Sequence, residues 1–242
     1  MRILEVQGIT ARFGGLVAVA GVDFHIDRGE VVGLIGPNGA GKTTLFNLIS
    51  GAIAPSSGTT VFKGEDITRL KPSEICRRGI ARTFQLVKLF SDMTVLENVM
   101  LSCLFRKPRV TKEEAAKESL ELLDFVGLNG MESLPARELP IGGQKRLEVA
   151  RALATHPELL LLDEVMAGLN PAEVSEAIES IKQIREKGIT IMLVEHVMQA
   201  IMDVSDRVIV LHNGEKLAEG IPCDITTNET VISVYLGGTI SC

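Results

Sequence analysis

Tryptophan is absent from the chain, tyrosine occurs once, and eight phenylalanines complete an aromatic content of 4%. With so few rings, a phenylalanine beside a glycine turn stands out as a candidate contact for a flat ligand. Cysteine occurs only at Cys76, Cys103, Cys223 and Cys242, with no C-x-x-C pair. That spacing points to reduced thiols in a cytosolic protein rather than a disulfide framework or a zinc site. No apolar run reaches the roughly 18 residues that a membrane span needs. The start, Met1-Arg2-Ile3-Leu4-Glu5, meets an acid too early for a signal peptide. Basic residues are in deficit, 25 against 31 acidic, for a net charge of −6. No nucleic acid is therefore expected as a partner.

What is present begins with ordinary globular material. The 242 residues are 45% hydrophobic and 23% charged, enough for one large domain or a domain with a subdomain. One stretch departs from the ordinary. Gly29–Leu45 contains Gly36-Pro37-Asn38-Gly39-Ala40-Gly41-Lys42-Thr43, followed by Thr44. This is the G-x-x-x-x-G-K-[ST] pattern of a phosphate-binding loop. The short β-branched run Val31–Ile35 before it predicts a buried strand, and the apolar spacing of Leu45, Phe46, Leu48 and Ile49 after it predicts a helix. Glycines let the backbone N–H groups converge on an anion, and the helix adds the positive end of its dipole. Lys42 then reaches the β- and γ-phosphates and the Thr43 hydroxyl ligates Mg²⁺. ATP and Mg²⁺ are the expected ligands.

Along the chain, Ile3–Arg12 and Val22–Ile26 predict two strands of an antiparallel layer ahead of this core. Phe13 follows the first of them, before Gly14-Gly15; it is a candidate to stack on a purine or an ordinary core residue. Strand segments are expected over Thr59–Phe62 and Gly79–Phe84 around a short helix at Pro72–Arg78, and Gln85 follows directly. Gln85 is a candidate ligand to Mg²⁺ or a water, or a plain surface residue. Val95–Leu104, Lys112–Val126 and Gln144–Ala154 have helical spacing, so 86–156 reads as an inserted helical subdomain. Within it, Arg106-Lys107-Pro108-Arg109 is a solvated loop or a contact for anionic lipid or a partner. Alternation of strand and helix then resumes with Leu159–Leu162, Pro171–Lys187 and Ile189–Val194, and Asn213-Gly214 signals a hairpin. The tail 221–242 carries a helix over Thr230–Leu236.

Three buried strands end in polar chemistry: one in the phosphate loop, one in Asp163-Glu164, one in Glu195-His196. Runs apolar on both faces suit a parallel sheet covered by helices, whose ligands lie at the carboxyl ends of the strands. Asp163 is then placed to hold Mg²⁺, Glu164 to act as general base or water orienter, and His196 to touch the γ-phosphate or that water. Gly142-Gly143 opens the helix Gln144–Ala154 as a second anion site, one that a second chain offers more readily than its own.

In this order, these segments resemble an ATP-binding cassette (ABC) ATPase over about residues 3–220. The resemblance implies an α/β phosphate-loop core, 1–85 and 157–220, with an N-terminal antiparallel layer and the helical subdomain 86–156. It implies Phe13 against adenine, Gln85 as the contact toward a membrane partner, Asp163 on the metal, Glu164 as base and His196 as the switch histidine. It also implies Gly142 as the signature glycine acting on the ATP of a second cassette. Arg82-Thr83-Phe84-Gln85, Ala167-Gly168-Leu169-Asn170-Pro171 and Val194-Glu195-His196 look like the ATPases of branched-chain amino acid importers. Such ATPases sit on the cytoplasmic side of the membrane with permease subunits and, indirectly, an extracytoplasmic substrate-binding protein. Pro140 stands in place of the signature serine, beside Gly142 and Gly143, and removes one hydroxyl donor. The alternatives are a soluble ABC switch serving DNA repair or the ribosome, an exporter-type ATPase, and a phosphate-loop kinase.

Overall fold

The computed structural model describes residues 1–106 and 108–236. Its centre is a six-stranded sheet whose strands alternate side chains between two covered faces. These strands are β3 (Val31–Ile35), β6 (Ile80–Arg82), β7 (Leu159–Asp163), β8 (Thr190–Val194), β9 (Arg207–His212) and β10 (Glu215–Gly220). Their order is β10-β9-β3-β8-β7-β6, parallel throughout except at β9–β10. Val32 and Leu34 of β3, Leu159 and Leu161 of β7, and Met192 and Val194 of β8 face one core. Their neighbours Val31, Ile35, Leu160, Leu162, Ile191 and Leu193 face the other. Burial on both sides is why these strands read as unbroken apolar runs.

The first face is closed by α1 (Lys42–Ile49) and by an antiparallel sheet, order β2-β1-β4-β5. That sheet comprises β1 (Arg2–Phe13), β2 (Leu16–Asp27), β4 (Ser57–Phe62) and β5 (Glu65–Asp66). The expected first pair of strands is thus longer than its apolar alternation suggested, and it turns over Gly14-Gly15. The second face is closed by α6 (Pro171–Glu186) and α7 (Met198–Val204) through Ile181, Ile184, Ala200, Ile201 and Val204. The short α2 (Pro72–Arg78) precedes β6, and α8 (Pro222–Thr227) and α9 (Glu229–Leu236) follow β10.

Helices α3 (Val95–Phe105), α4 (Lys112–Phe125) and α5 (Ile141–Leu153) pack on one another around a third cluster that includes Val95, Val99, Cys103, Leu123 and Leu147. Capping boxes start three helices: Thr94 with Glu97, Thr111 with Glu114, and Asn170 with Glu173. Two expectations need correction here. First, α5 begins at Ile141, with Pro140 as its N-cap. Gly142 and Gly143 therefore lie inside its first turn rather than ahead of it. Second, Arg106 is no free lipid contact: its side chain is buried, paired with Glu118 and donating to the Ala154 carbonyl. Lys107 and Cys242, also named above, lie outside the described residues. Among the described residues no helix is long and apolar enough to cross a membrane.

Candidate active site

The phosphate loop leaves β3 at Gly36 and enters α1 at Lys42. Gly41, the N-cap of α1, has φ 102°, and a Cβ there would lie 2.5 Å from the Ala18 carbonyl oxygen. Only glycine fits such a position. No side chain caps α1, so its first N–H groups face the loop. The ammonium of Lys42 is buried and donates to the carbonyls of Gly36 at 2.6 Å and Pro37 at 3.1 Å. Burial pulls its pKa down, and the carboxylates of Glu164 and Asp163 oppose the shift. That opposition places both acids within electrostatic reach of Lys42.

The acids come from β7, which lies beside β8 and one strand from β3. Asp163 pairs with Val194 across the β7–β8 ladder, and Val194 in turn with Leu34 of β3. Three segments far apart in sequence therefore end side by side. Asp163 is buried; its Oδ2 accepts from Arg82 Nη2 at 3.1 Å, whereas its Oδ1 has no hydrogen-bond partner. Burial pushes its carboxyl above the ordinary range, and the Arg82 guanidinium counters most directly. Arg82 is itself anchored by Asn47 and Ser50 and lies 4.6 Å from the Phe84 ring centroid. An orphaned, buried carboxylate oxygen on Asp163, together with the Thr43 hydroxyl and the Gln85 amide oxygen supplied by the sequence, offers the hard-oxygen chemistry that suits Mg²⁺. Among the described residues no group of three or more His, Cys, Asp or Glu could hold a metal.

Glu164 is the most constrained residue of the site. Its φ of 53° is left-handed, costing roughly 1–2 kcal/mol for a residue with a Cβ. Four residues on three segments hold it there. Its N–H donates to Val194 at 2.9 Å, and its carbonyl accepts from Lys145 Nζ at 2.7 Å. Its Oε1 meets His196 Nε2 at 2.8 Å and its Oε2 accepts from Gln85 Nε2 at 2.9 Å. The turn beyond is fixed as well: Lys145 Nζ reaches the Ala167 carbonyl at 2.6 Å, and the Met166 N–H donates to Glu195 Oε1 at 2.8 Å. Burial pushes the Glu195 carboxyl up to about 7.

The structure thus brings together the Gly36–Thr43 loop, Gln85, Asp163, Glu164 and His196. It leaves two expected contributors outside that cluster. Phe13 sits at the β1–β2 tip, 52% exposed and in no core cluster, so the core-packing alternative fails. Gly142 lies against Leu169 and Glu173, where a Cβ would come within 3.3 and 2.9 Å. Nothing in the sequence assigns a site role to Arg82 or Lys145, or to Glu195 beyond its place at a polar strand end. Each is a charge at the end of a short apolar strand or one turn into a helix, and only burial reveals its role.

A model of the ABC transporter family matches residues 19–167. The chain belongs to the ABC transporter family. Over 249 aligned residues it is 42% identical to the high-affinity branched-chain amino acid transport ATP-binding protein BraF of Pseudomonas aeruginosa, covering 97% of this chain and 98% of that one. The same figures hold for LivG of Escherichia coli. The probable LivG of Archaeoglobus fulgidus is 36% identical over 98% of this chain and 96% of its own. Among solved structures, the ADP conformation of an ATP-binding cassette of an ABC transporter superposes with TM-score 0.89 at 32% identity, covering 98% of this chain and all of that one. A dimeric post-hydrolysis cassette bound to ADP and Pi has TM-score 0.83 at 27% identity, covering 91% and 99%. The ABC cassette architecture accounts for both sheets, the inserted helices and the convergence of polar strand ends described above.

Proposed function

We propose that this cassette binds ATP in the Gly36–Thr44 loop and hydrolyses it with Glu164 as base, powering import of branched-chain or related amino acids. The observation that carries the reading is the setting of Glu164: its carboxylate lies between Gln85 and His196, beside Lys42 and the half-free Asp163. Loop N–H groups and Lys42 bind the phosphates. Thr43, Asp163 Oδ1 and Gln85 would hold Mg²⁺, which when bound would supply neutralisation of phosphate charge. Glu164 keeps lone pairs beyond those used by Gln85 and His196, accepts the proton of an attacking water, and is oriented by His196. Phe13, exposed at the hairpin tip, stacks on the adenine.

Two cassettes close head to tail over two ATP molecules, each lending the first turn of α5 to the other's γ-phosphate. Pro140 supplies no hydroxyl there, so the N–H groups of Ile141, Gly142 and Gly143 carry that contact. The helical region 86–156 moves against the core about α5, whose Leu147 and Ala150 belong to the region's own apolar cluster and whose Ala152 and Leu153 pack into the core. The cassette sits on the cytoplasmic face of the membrane, where transmembrane permease subunits dock between the two. Support comes from adjoining cavities of about 550 and 560 Å³ that share Cys76, Ser102, Arg151 and Thr155, with Phe105 exposed at their rim. The branched-chain assignment rests on the relatives' names and the shared motifs.

The test pairs purified Glu164→Gln with cells lacking the chain. The variant binds ATP and dimerises on it, but turns over at least on the order of a hundredfold more slowly. Cells complemented with it take up no leucine. Wild-type turnover by the variant refutes the base assignment, and unchanged leucine uptake without the chain refutes the cargo.

A further inference from the structure

Lys145 is a buried ammonium that the hydrolytic scheme leaves unused. It lies one turn into α5, on the same helix face as Gly142. Both of its hydrogen bonds end on the turn that follows β7, at the carbonyls of Glu164 and Ala167. A second contact joins the same two pieces: Gly142 packs against Leu169 and Glu173 at the far end of that turn. Glu195, from the end of β8, holds the turn from the opposite side through the Met166 N–H. The start of α5 and the Glu164 turn are therefore braced at two points. A displacement of one carries the other, because packed elements shift between discrete arrangements rather than deform smoothly.

In a head-to-tail pair, the α5 start of a chain faces the partner's nucleotide, whereas the Glu164 of that chain faces its own. We propose that Lys145 is a positioning residue tying the Glu164 turn to its own chain's α5, so that nucleotide gripped in one composite site sets the acid of the other. The inference rests on the head-to-tail reading above.

The experiment uses full-length Lys145→Met, which keeps the length of the side chain and removes the ammonium, and Lys145→Arg, which keeps donors and charge. Lys145→Met retains nucleotide binding within about twofold, and its Hill coefficient for ATP falls to about one. Its kcat drops roughly ten- to a hundredfold, the scale of a misplaced catalytic group. Lys145→Arg restores much of both. Were Lys145 a space-filler, methionine would serve and the bulkier arginine would not; that order of activities overturns the proposal.

Mixed dimers locate the effect. With Lys145→Met and Glu164→Gln on one chain, the intact acid keeps its own lysine, and the dimer turns over like one carrying Glu164→Gln alone. With the substitutions on opposite chains, turnover falls to the level of Lys145→Met. Equal rates, or the reverse order, overturn the assignment. If Glu164→Gln fails to dimerise on ATP, the head-to-tail reading itself is wrong; dimers with unaltered cooperativity in Lys145→Met sink the lysine inference alone.

Discussion

Glu195→Gln offers a clean perturbation, since it changes one proton-binding group and almost no volume. Glu195 is buried, and its carboxyl is raised from 4.5 to about 7 chiefly by that burial. The folded chain therefore holds a proton through a pH range in which the unfolded chain has released it. Stability from this source is present below pH 4.5 and is lost as pH rises toward 7. At about 1.4 kcal/mol per unit, the displacement is worth at most roughly 3 kcal/mol. Attraction to the Lys145 ammonium and the hydrogen bond from Met166 already act within that value. Glutamine keeps an oxygen for the Met166 N–H and cannot ionise. Urea unfolding of nucleotide-free parent and variant, at about pH 5 and about pH 7.5, gives two stability differences. The variant should gain about 1–3 kcal/mol on the parent between the two conditions, with every other titrating group cancelling in the comparison. A difference that stays constant within about 0.5 kcal/mol, the usual noise for surface changes, would show that Glu195 is ionised throughout and that burial does not govern it.

Three other outcomes follow from the same geometry. Arg82→Met strands the Asp163 carboxylate in a dry setting and should cost about 3–5 kcal/mol; an unchanged urea midpoint contradicts the pairing seen here. Gly41→Ala forces a Cβ onto the Ala18 carbonyl at a left-handed φ. It should weaken binding of a fluorescent ATP analogue by at least about tenfold, and near-normal affinity would mean that the loop relaxes freely. Asn98→Leu removes a buried amide that bonds the Phe90 and Thr94 backbone. It should destabilise by about 1–3 kcal/mol and raise proteolysis between Gln85 and Met93; equal cleavage of parent and variant would rule out that anchoring.

Much of the core was legible in the chain itself, for local reasons. The Gly36–Thr43 pattern, the β-branched runs on either side of polar strand ends, and the capping pairs at Thr111–Glu114 and Asn170–Glu173 each state their conformation within a few residues. Short-range steric and hydrogen-bonding rules suffice for them. The apolar runs also announced burial on both faces, hence the parallel sheet; the family came instead from the resemblance of the motifs in their order.

Other features were settled only when distant segments met. Whether Phe13 packs inside or stands in solvent depends on what the β1–β2 tip reaches, and nothing next to it in sequence says so. Arg106 reads as part of a basic loop, yet Glu118 and the end of α5 bury it. Arg82, Lys145 and Glu195 are unremarkable letters whose meaning comes from the dry environment and the partners supplied by other strands. Charge is priced by its surroundings, and surroundings are made by folding. The chain's letters determined which elements form and where its phosphate chemistry lies. The tertiary structure alone decided how four residues grip Glu164, because those grips join residues as far apart as Gln85 and His196.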